Sequence, residues 1–470
     1  MLDRMTPAAR RQRLRRIAIV SGLFAALLGF FWALPEPGDE RLAPPAPGFV
    51  VRDVRLFDGE RVVEQATVVV REGRIVEAGA GVAVPPGLPV VEGRGRTLLP
   101  GLIDAHVHTW GNALAETLNF GVTTVLDMFS DPGPARELRR TRASFTPRAH
   151  ADLYSAGWLA TAPRGHGTQF GQPVPTLGTP EEAPAWVDAR LAEGSDYIKI
   201  VYEPRDASGM GAPFPSLDSA TMAALIAATQ ARGRLAVVHV SRLVAAHDAL
   251  QAGADGLVHV HADRVADAAL VQLARERGAF VTPTLAVIAG FDPTLPAPPE
   301  GKLENQRENQ RENQREIQRE NQRFAADPAV RPYLTPEQRR GLESIPTTKL
   351  VMFRLDTALA SVRALHEGGV DILAGSDAPN PGTAHGASLH HELELLVRAG
   401  LTPIEALRAA TSVPARRFGL ADRGRIAPGQ RADLLLVAGD PTTDIRATRA
   451  IERIWKNGAA VERRRYPEAP

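Results

Sequence analysis

Two histidines separated by one residue close an apolar run, Leu99-Pro100-Gly101-Leu102-Ile103-Asp104-Ala105-His106-Val107-His108. On an extended chain alternate side chains point the same way, so His106 and His108 can present both imidazoles to one metal ion. Four further groups with ligand chemistry follow at the ends of apolar runs. Lys199 lies inside Tyr197-Ile198-Lys199-Ile200-Val201. A lysine in such a strand is costly unless neutralised or paired, by a salt bridge or by carbamylation. The carbamate is a carboxylate-like group able to bridge two metals. His239 ends Leu235-Ala236-Val237-Val238, and His259 ends Gly256-Leu257-Val258. His261, two residues on, competes with His259, which is the favoured ligand. Asp377 ends Asp371-Ile372-Leu373-Ala374-Gly375-Ser376, and an acid there is usually paired or ligating.

Elements that position such a set must repeat. Between about 100 and 420, apolar strand-like runs alternate with helical stretches such as SATMAALIAATQARG. This predicts a parallel α/β architecture, a barrel or a doubly wound sheet, and a barrel carries its chemistry at the C-terminal ends of its strands. Short runs broken by Asp-Gly and Glu-Gly over 49–99, matched by RADLLLVAGD and AIERIWKNGAAVERR near the C-terminus, predict β-strands from both ends joined in one small domain.

Arg4, Arg10, Arg11, Arg13, Arg15 and Arg16 precede the uncharged run Ile17–Leu34. Eighteen residues of helix span about 27 Å, roughly the bilayer hydrocarbon. An uncleaved anchor with the arginines in the cytoplasm is expected, which exports everything after Pro35. Cleavage and release into the periplasm is the alternative, although Trp32-Ala33-Leu34-Pro35 is a poor cleavage site. With 55 basic and 54 acidic residues, charge gives no case for nucleic acid as a partner. The absence of cysteine rules out disulfides, thiolate ligands and a lipidated N-terminal cysteine. Residues 304–323 repeat ENQR with no apolar face, which predicts a solvated helix or a disordered insert. His385, His390 and His391 are expected to be exposed on a helix beginning near Ala387, and His150, His247 and His366 to be structural.

The chain resembles the amidohydrolase superfamily, within it the imidazolonepropionase-like and prolidase-like group, over about 48–463. The resemblance rests on the strand start quoted above, Gly-Val-Thr-Thr-Val at 121–125, Gly-Ser-Asp-Ala at 375–378 and Gly-x-Ile-x-Pro-Gly-x-x-Ala-Asp-Leu at 424–434. It implies a (β/α)8 TIM-type barrel at 99–420 and a β-sandwich built from 48–98 and 421–463. A basic tail (1–16), the anchor (17–34), a proline-rich linker (35–47) and a C-terminal tail (464–470) complete the expected organisation. It further implies two divalent ions, usually zinc. His106, His108 and Asp377 would hold one, His239 and His259 the other, with carbamylated Lys199 as the bridge. A bridging hydroxide would cleave a C–N bond in a small-molecule amide, dipeptide or cyclic amide, with Asp377 moving the proton. His166, in Arg164-Gly165-His166-Gly167, resembles a Gly-Gly-His-Gly turn of prolidase-like relatives, with arginine replacing the first glycine. It is the candidate donor to the scissile carbonyl, and Tyr202 a candidate substrate contact.

Two other readings remain. Mononuclear deaminases resemble this pattern but generally lack the lysine and add a glutamate close to the strand-five histidine, whereas Val240-Ser241-Arg242 follows His239. A non-catalytic binding protein on the same fold would predict damaged ligand positions, and none is damaged.

Overall fold

The computed structural model describes Leu42 and residues 47–204, 214–291, 322–344 and 354–467. The expected anchor at 17–34 and residues 304–321 of the ENQR segment lie outside the described residues. Among the described residues no helix is long and apolar enough to cross a membrane.

Five strands come first: β1 (Gly48–Phe57), β2 (Val62–Arg71), β3 (Arg74–Ala80), β4 (Val90–Glu92) and β5 (Arg96–Pro100). They join β14 (Leu434–Ala438), β15 (Ile451–Lys456) and β16 (Ala459–Val461) in one eight-stranded sheet ordered β16-β15-β14-β5-β1-β2-β3, with β4 on β1. The expected sandwich is thus a single hydrogen-bonded sheet that folds over itself. Phe49 of β1 and Trp455 of β15 stack at 5.0 Å between ring centroids, although three strand steps in a flat sheet would separate them by about 14 Å. Folding over encloses a core of Val51, Val54, Leu56, Val68, Val70, Leu98, Leu434 and Leu436.

Between these two halves run eight parallel strands: β6 (Leu102–Val107), β7 (Val122–Asp127), β8 (Asp152–Ser155), β9 (Ile198–Val201), β10 (Ala236–His239), β11 (Gly256–Val258), β12 (Phe280–Thr282) and β13 (Asp371–Ile372). They pair as β6-β7-β8 and β9-β10-β11-β12-β13, and parallel bridges Ala160–Ile200 and Val107–Ala378 close the ring. The strands are short apolar runs because both faces are covered, by helices outside and by the barrel filling inside. Helices lie between them. Asp218 caps Ser219–Gln230 by accepting from the Thr221 N–H, and Asp267 caps Ala268–Arg277 by accepting from the Leu270 N–H. Phe418, following the helix Ser412–Arg417, plugs the barrel floor against Tyr197 and Phe280, with ring centroids 5.0 and 5.4 Å away.

A buried ionic network ties the small domain to the barrel. Lys456 Nζ donates to Asp152 at 2.8 Å and to Asp433 at 2.7 Å, and Arg423 donates to the same Asp152 at 2.7 Å. Each buried charge is paired, which is the condition for tolerating it.

Candidate metal centre

The C-terminal end of the barrel gathers the acids and imidazoles expected there. His106 Nε2 lies 3.3 Å and His108 Nε2 3.0 Å from Asp377 Oδ1. His259 Nδ1 faces Asp377 Oδ2 at 3.8 Å. Lys199 Nζ lies 3.2 Å from His106 Nε2. The His239 ring stands 4.5 Å from that of His259 between centroids, and the His166 ring 5.1 Å from that of His239. Atoms of His106, His259 and Asp377 lie within 4.8 Å of one another, close enough to share one ion. That trio mixes the two expected ligand sets.

The strands aim these groups, but two of the six expected ligands need unusual backbone. His259 (φ 60°) and Asp377 (φ 54°) are left-handed, a conformation disfavoured by roughly 1–2 kcal/mol for residues with a Cβ. Each follows a strand end, so the turn redirects the side chain over the barrel axis. The two competing histidines are placed differently. His259 joins Asp377, while His261 is buried with Asp263, His247 and Asp267 around it.

Secondary contacts hold the ligands in place. Asp104, in β6, accepts from the His106 N–H at 3.2 Å, the Ser376 N–H at 3.0 Å and the Ser376 hydroxyl at 2.6 Å. It therefore fixes His106 and the residue before Asp377 at once. Asp127, at the end of β7, accepts from the Thr109 N–H at 2.8 Å and steadies the loop after His108.

Burial sets the charges. Desolvation pushes His106 and His239 down to about 3, against the pull of Asp377. His166 is pushed down to about 3 by burial and by His239. All three imidazoles are neutral near pH 7, the form that ligates a metal or donates one N–H. Burial raises the Asp377 carboxyl, yet His106, His108 and His259 outweigh it and hold it well below the usual carboxylate range. Burial lowers Lys199 to about 8, opposed by Asp377 and Asp127. These donors fit divalent ions. They comprise neutral imidazoles, an ionised carboxylate whose Oδ1 has no hydrogen-bond partner among the described residues, and an amine with a sizeable neutral fraction near pH 8.

Three expectations change. Tyr202 turns away from the centre, its hydroxyl donating at 2.8 Å to Asp248 on the helix Leu243–Gln251. Its neighbour Glu203 takes the inward place. Glu203 Oε1 lies 3.1 Å from His239 Nε2, and Oε2 accepts from the Ser241 hydroxyl at 2.5 Å. Period-two alternation from Lys199 through Val201 was the available signal, and it puts Glu203 on the lysine's face. An acid therefore does stand beside the strand-five histidine, supplied by the strand before it. Finally, His385, His390 and His391 are buried, not exposed, because the helix Ala387–Arg398 is covered by the 322–344 segment as well as by the barrel. His385 donates its Nε2–H to the His108 carbonyl at 3.0 Å, and the His391 ring stacks on Phe324.

Known proteins share sequence segments and the fold with this chain. Imidazolonepropionase of Deinococcus deserti is 38% identical over 115 residues, which are 24% of this chain and 29% of that protein. Adenine deaminase of Methylobacterium nodulans is 41% identical over 88 residues, 18% of this chain and 14% of that protein. The matching segments thus span under a third of these curated relatives. Among solved structures, a Xaa-Pro dipeptidase superposes with TM-score 0.64 at 21% identity, covering 88% of this chain and 100% of that one. Molinate hydrolase does so with TM-score 0.65 at 17% identity, covering 89% and 95%. At such identities the likeness concerns the fold, a barrel with an added domain. The family itself matches residues 97–461, from the last strand before the barrel to the closing strand of the small domain, and the chain belongs to the amidohydrolase family.

Proposed function

We propose that this chain is a binuclear metal-dependent hydrolase that cleaves the C–N bond of an amide, dipeptide or cyclic amide. The observation that carries the reading is Lys199, a buried amine lowered to about 8 and set 3.2 Å from His106 Nε2. A neutral amine adds carbon dioxide, losing one proton, and the resulting carbamate offers two oxygens where a free lysine offers none. His106, His108 and Asp377 would hold one ion, His239 and His259 the other, with the Lys199 carbamate between them. Zinc suits this imidazole and carboxylate set. Bound ions supply Lewis acidity and bring the pKa of a water to about 7.

The chain's own groups do the rest. Asp377 is ionised and faces His106 and His108 with one oxygen and His259 with the other. It takes the proton of the attacking water and delivers it to the leaving nitrogen. His166, neutral at working pH, donates an N–H to the scissile carbonyl oxygen as charge develops there. Glu203 keeps a proton on His239 Nε2, leaving Nδ1 free to ligate. At the N-terminus, six arginines followed by Ile17–Leu34 support a single-pass inner-membrane anchor, with the body at 48–463 outside the cytoplasm.

Metal counting by mass spectrometry, joined to a hydrolysis screen of dipeptides, N-acyl amino acids and cyclic amides, tests the reading. Two ions per chain and metal-dependent cleavage are expected. One ion with ammonia release would favour the mononuclear deaminase reading, which gains from Glu203 beside His239. Full metal content with no turnover on any substrate class would favour a binding protein.

A further inference from the structure

The mouth of the barrel is chemically divided. Lys199, Glu203, His239, His259 and Asp377 come from β9 to β13 and the turns after them, and His106 and His108 from β6. Above β6, β7 and β8 the wall is aromatic. Phe129, two residues past β7, sits at its centre, its ring 5.9 Å from Trp110, 5.8 Å from Trp158 and 6.1 Å from Phe170 between centroids. Phe129 and Trp158 are buried, while Trp110 and Phe170 are only partly covered and keep ring surface open. The wall reaches one candidate ligand and the candidate carbonyl donor. Phe129 meets the His108 ring edge-on at 6.2 Å, and Phe170 meets His166 at 6.4 Å. Aromatic residues make up only 5% of the chain, so gathering four of them here has to serve either loop packing or a ligand.

We propose that this wall is the substrate's specificity subsite, and that the substrate carries an aryl or similarly bulky apolar group one or two bonds from the scissile carbonyl. This rests on the hydrolase reading. A carbonyl held between the ligands and His166 places its substituent against Phe129, Trp110 and Phe170. Rings gain there from burial and from edge-to-face contact, which a methyl or a charged group cannot match.

The test is equilibrium binding by calorimetry to the zinc-supplemented full chain. The probes are N-benzenesulfonylglycine and N-methanesulfonylglycine, amide isosteres that are not hydrolysed and differ only in aryl against methyl. The aryl probe should bind at least tenfold more tightly, about 1.4 kcal/mol. Trp110→Ala and Phe170→Ala, at partly covered positions, should cut that ratio below about threefold. Equal affinities, no binding of either probe, or a ratio unchanged in both variants would overturn the subsite. Hydrolysis of N-benzoylglycine and N-acetylglycine, measured in parallel, separates the two claims. Cleavage without aryl preference sinks the subsite alone. Aryl-selective binding without cleavage of either amide counts against the hydrolase reading and leaves the subsite standing.

Discussion

Glu203 Oε1 stands 3.1 Å from His239 Nε2, two residues past β9 on the side of the chain that carries Lys199, and burial raises its carboxyl to about 7. Such a partner fixes the tautomer and orientation of a metal-ligating histidine, and its loss typically weakens metal binding 10–100-fold. Glu203→Gln keeps the shape and removes the charge. Metal retention after dialysis against graded chelator should fall by about tenfold or more for one of the two ions. Unchanged retention of both would show that the contact is packing only.

On the proposed binuclear reading the Lys199 carbamate supplies the bridging oxygens, so Lys199→Ala should remove most bound metal and abolish hydrolysis. A rate loss of at least about a thousandfold, some 4 kcal/mol of barrier, is expected. Short carboxylic acids should partly restore both properties. Lys199→Arg should not, since the guanidinium stays protonated. Two ions per chain and a near wild-type rate in Lys199→Ala would remove the bridge from the mechanism.

Gly375 lies where β13 leads into Asp377. A Cβ there would meet Thr282 Cγ2 at 2.6 Å and His106 Cβ at 2.8 Å. Gly375→Ala must therefore push β6 or β12 aside, an overpacking effect of about 1–3 kcal/mol. Urea unfolding should reveal that loss together with weaker metal retention, as His106 is the group displaced.

His390 provides a stability signature away from the metal centre. Its Nε2–H donates to the Phe120 carbonyl at 2.9 Å, and Nδ1 stands 3.0 Å from the Thr448 hydroxyl. Burial lowers it to about 4, against that carbonyl bond, with the charges of Arg449 and Arg463 lowering it further and Asp327 opposing. Between about 4 and the ordinary value near 6.5, the unfolded chain binds the extra proton, so stability rises with pH across that window. The contribution is complete above pH 6.5 and is lost as pH falls through 4. His390→Gln should be less stable than wild type at pH 7.5, and that gap should narrow by about 1 kcal/mol or more at pH 4.5. A gap independent of pH would mean that His390 is not neutral in the folded state.

The topology has its own test. A reporter that works only outside the cytoplasm, fused after Pro470, should be active when the full chain is expressed. Activity of a strictly cytoplasmic reporter at that position would reverse the assignment of 1–16 to the cytoplasm.

The side chains that gather at the barrel mouth, and their order along the chain, were legible in the sequence because strand alternation and burial are local rules. An apolar run ending in His106 and His108, or carrying Lys199, announces itself without a partner. The pairing of N- and C-terminal strands was legible for the same reason, since both ends share one β pattern. Tertiary structure decided what depends on contacts far apart in the chain. His259 and not His261 is turned towards Asp377, by its left-handed backbone, and no spacing rule encodes that turn. Strand alternation already puts Glu203 and not Tyr202 on the lysine's face, but only the fold brings Asp248, on a later helix, to the tyrosine hydroxyl. The three histidines near Ala387 are buried because the 322–344 segment covers a helix whose own sequence does not reveal a second covered face. The aromatic wall likewise exists only in space. Trp110, Phe129 and the pair Trp158 and Phe170 come from the connections after β6, β7 and β8, and closure of the barrel brings those connections to one side of its mouth.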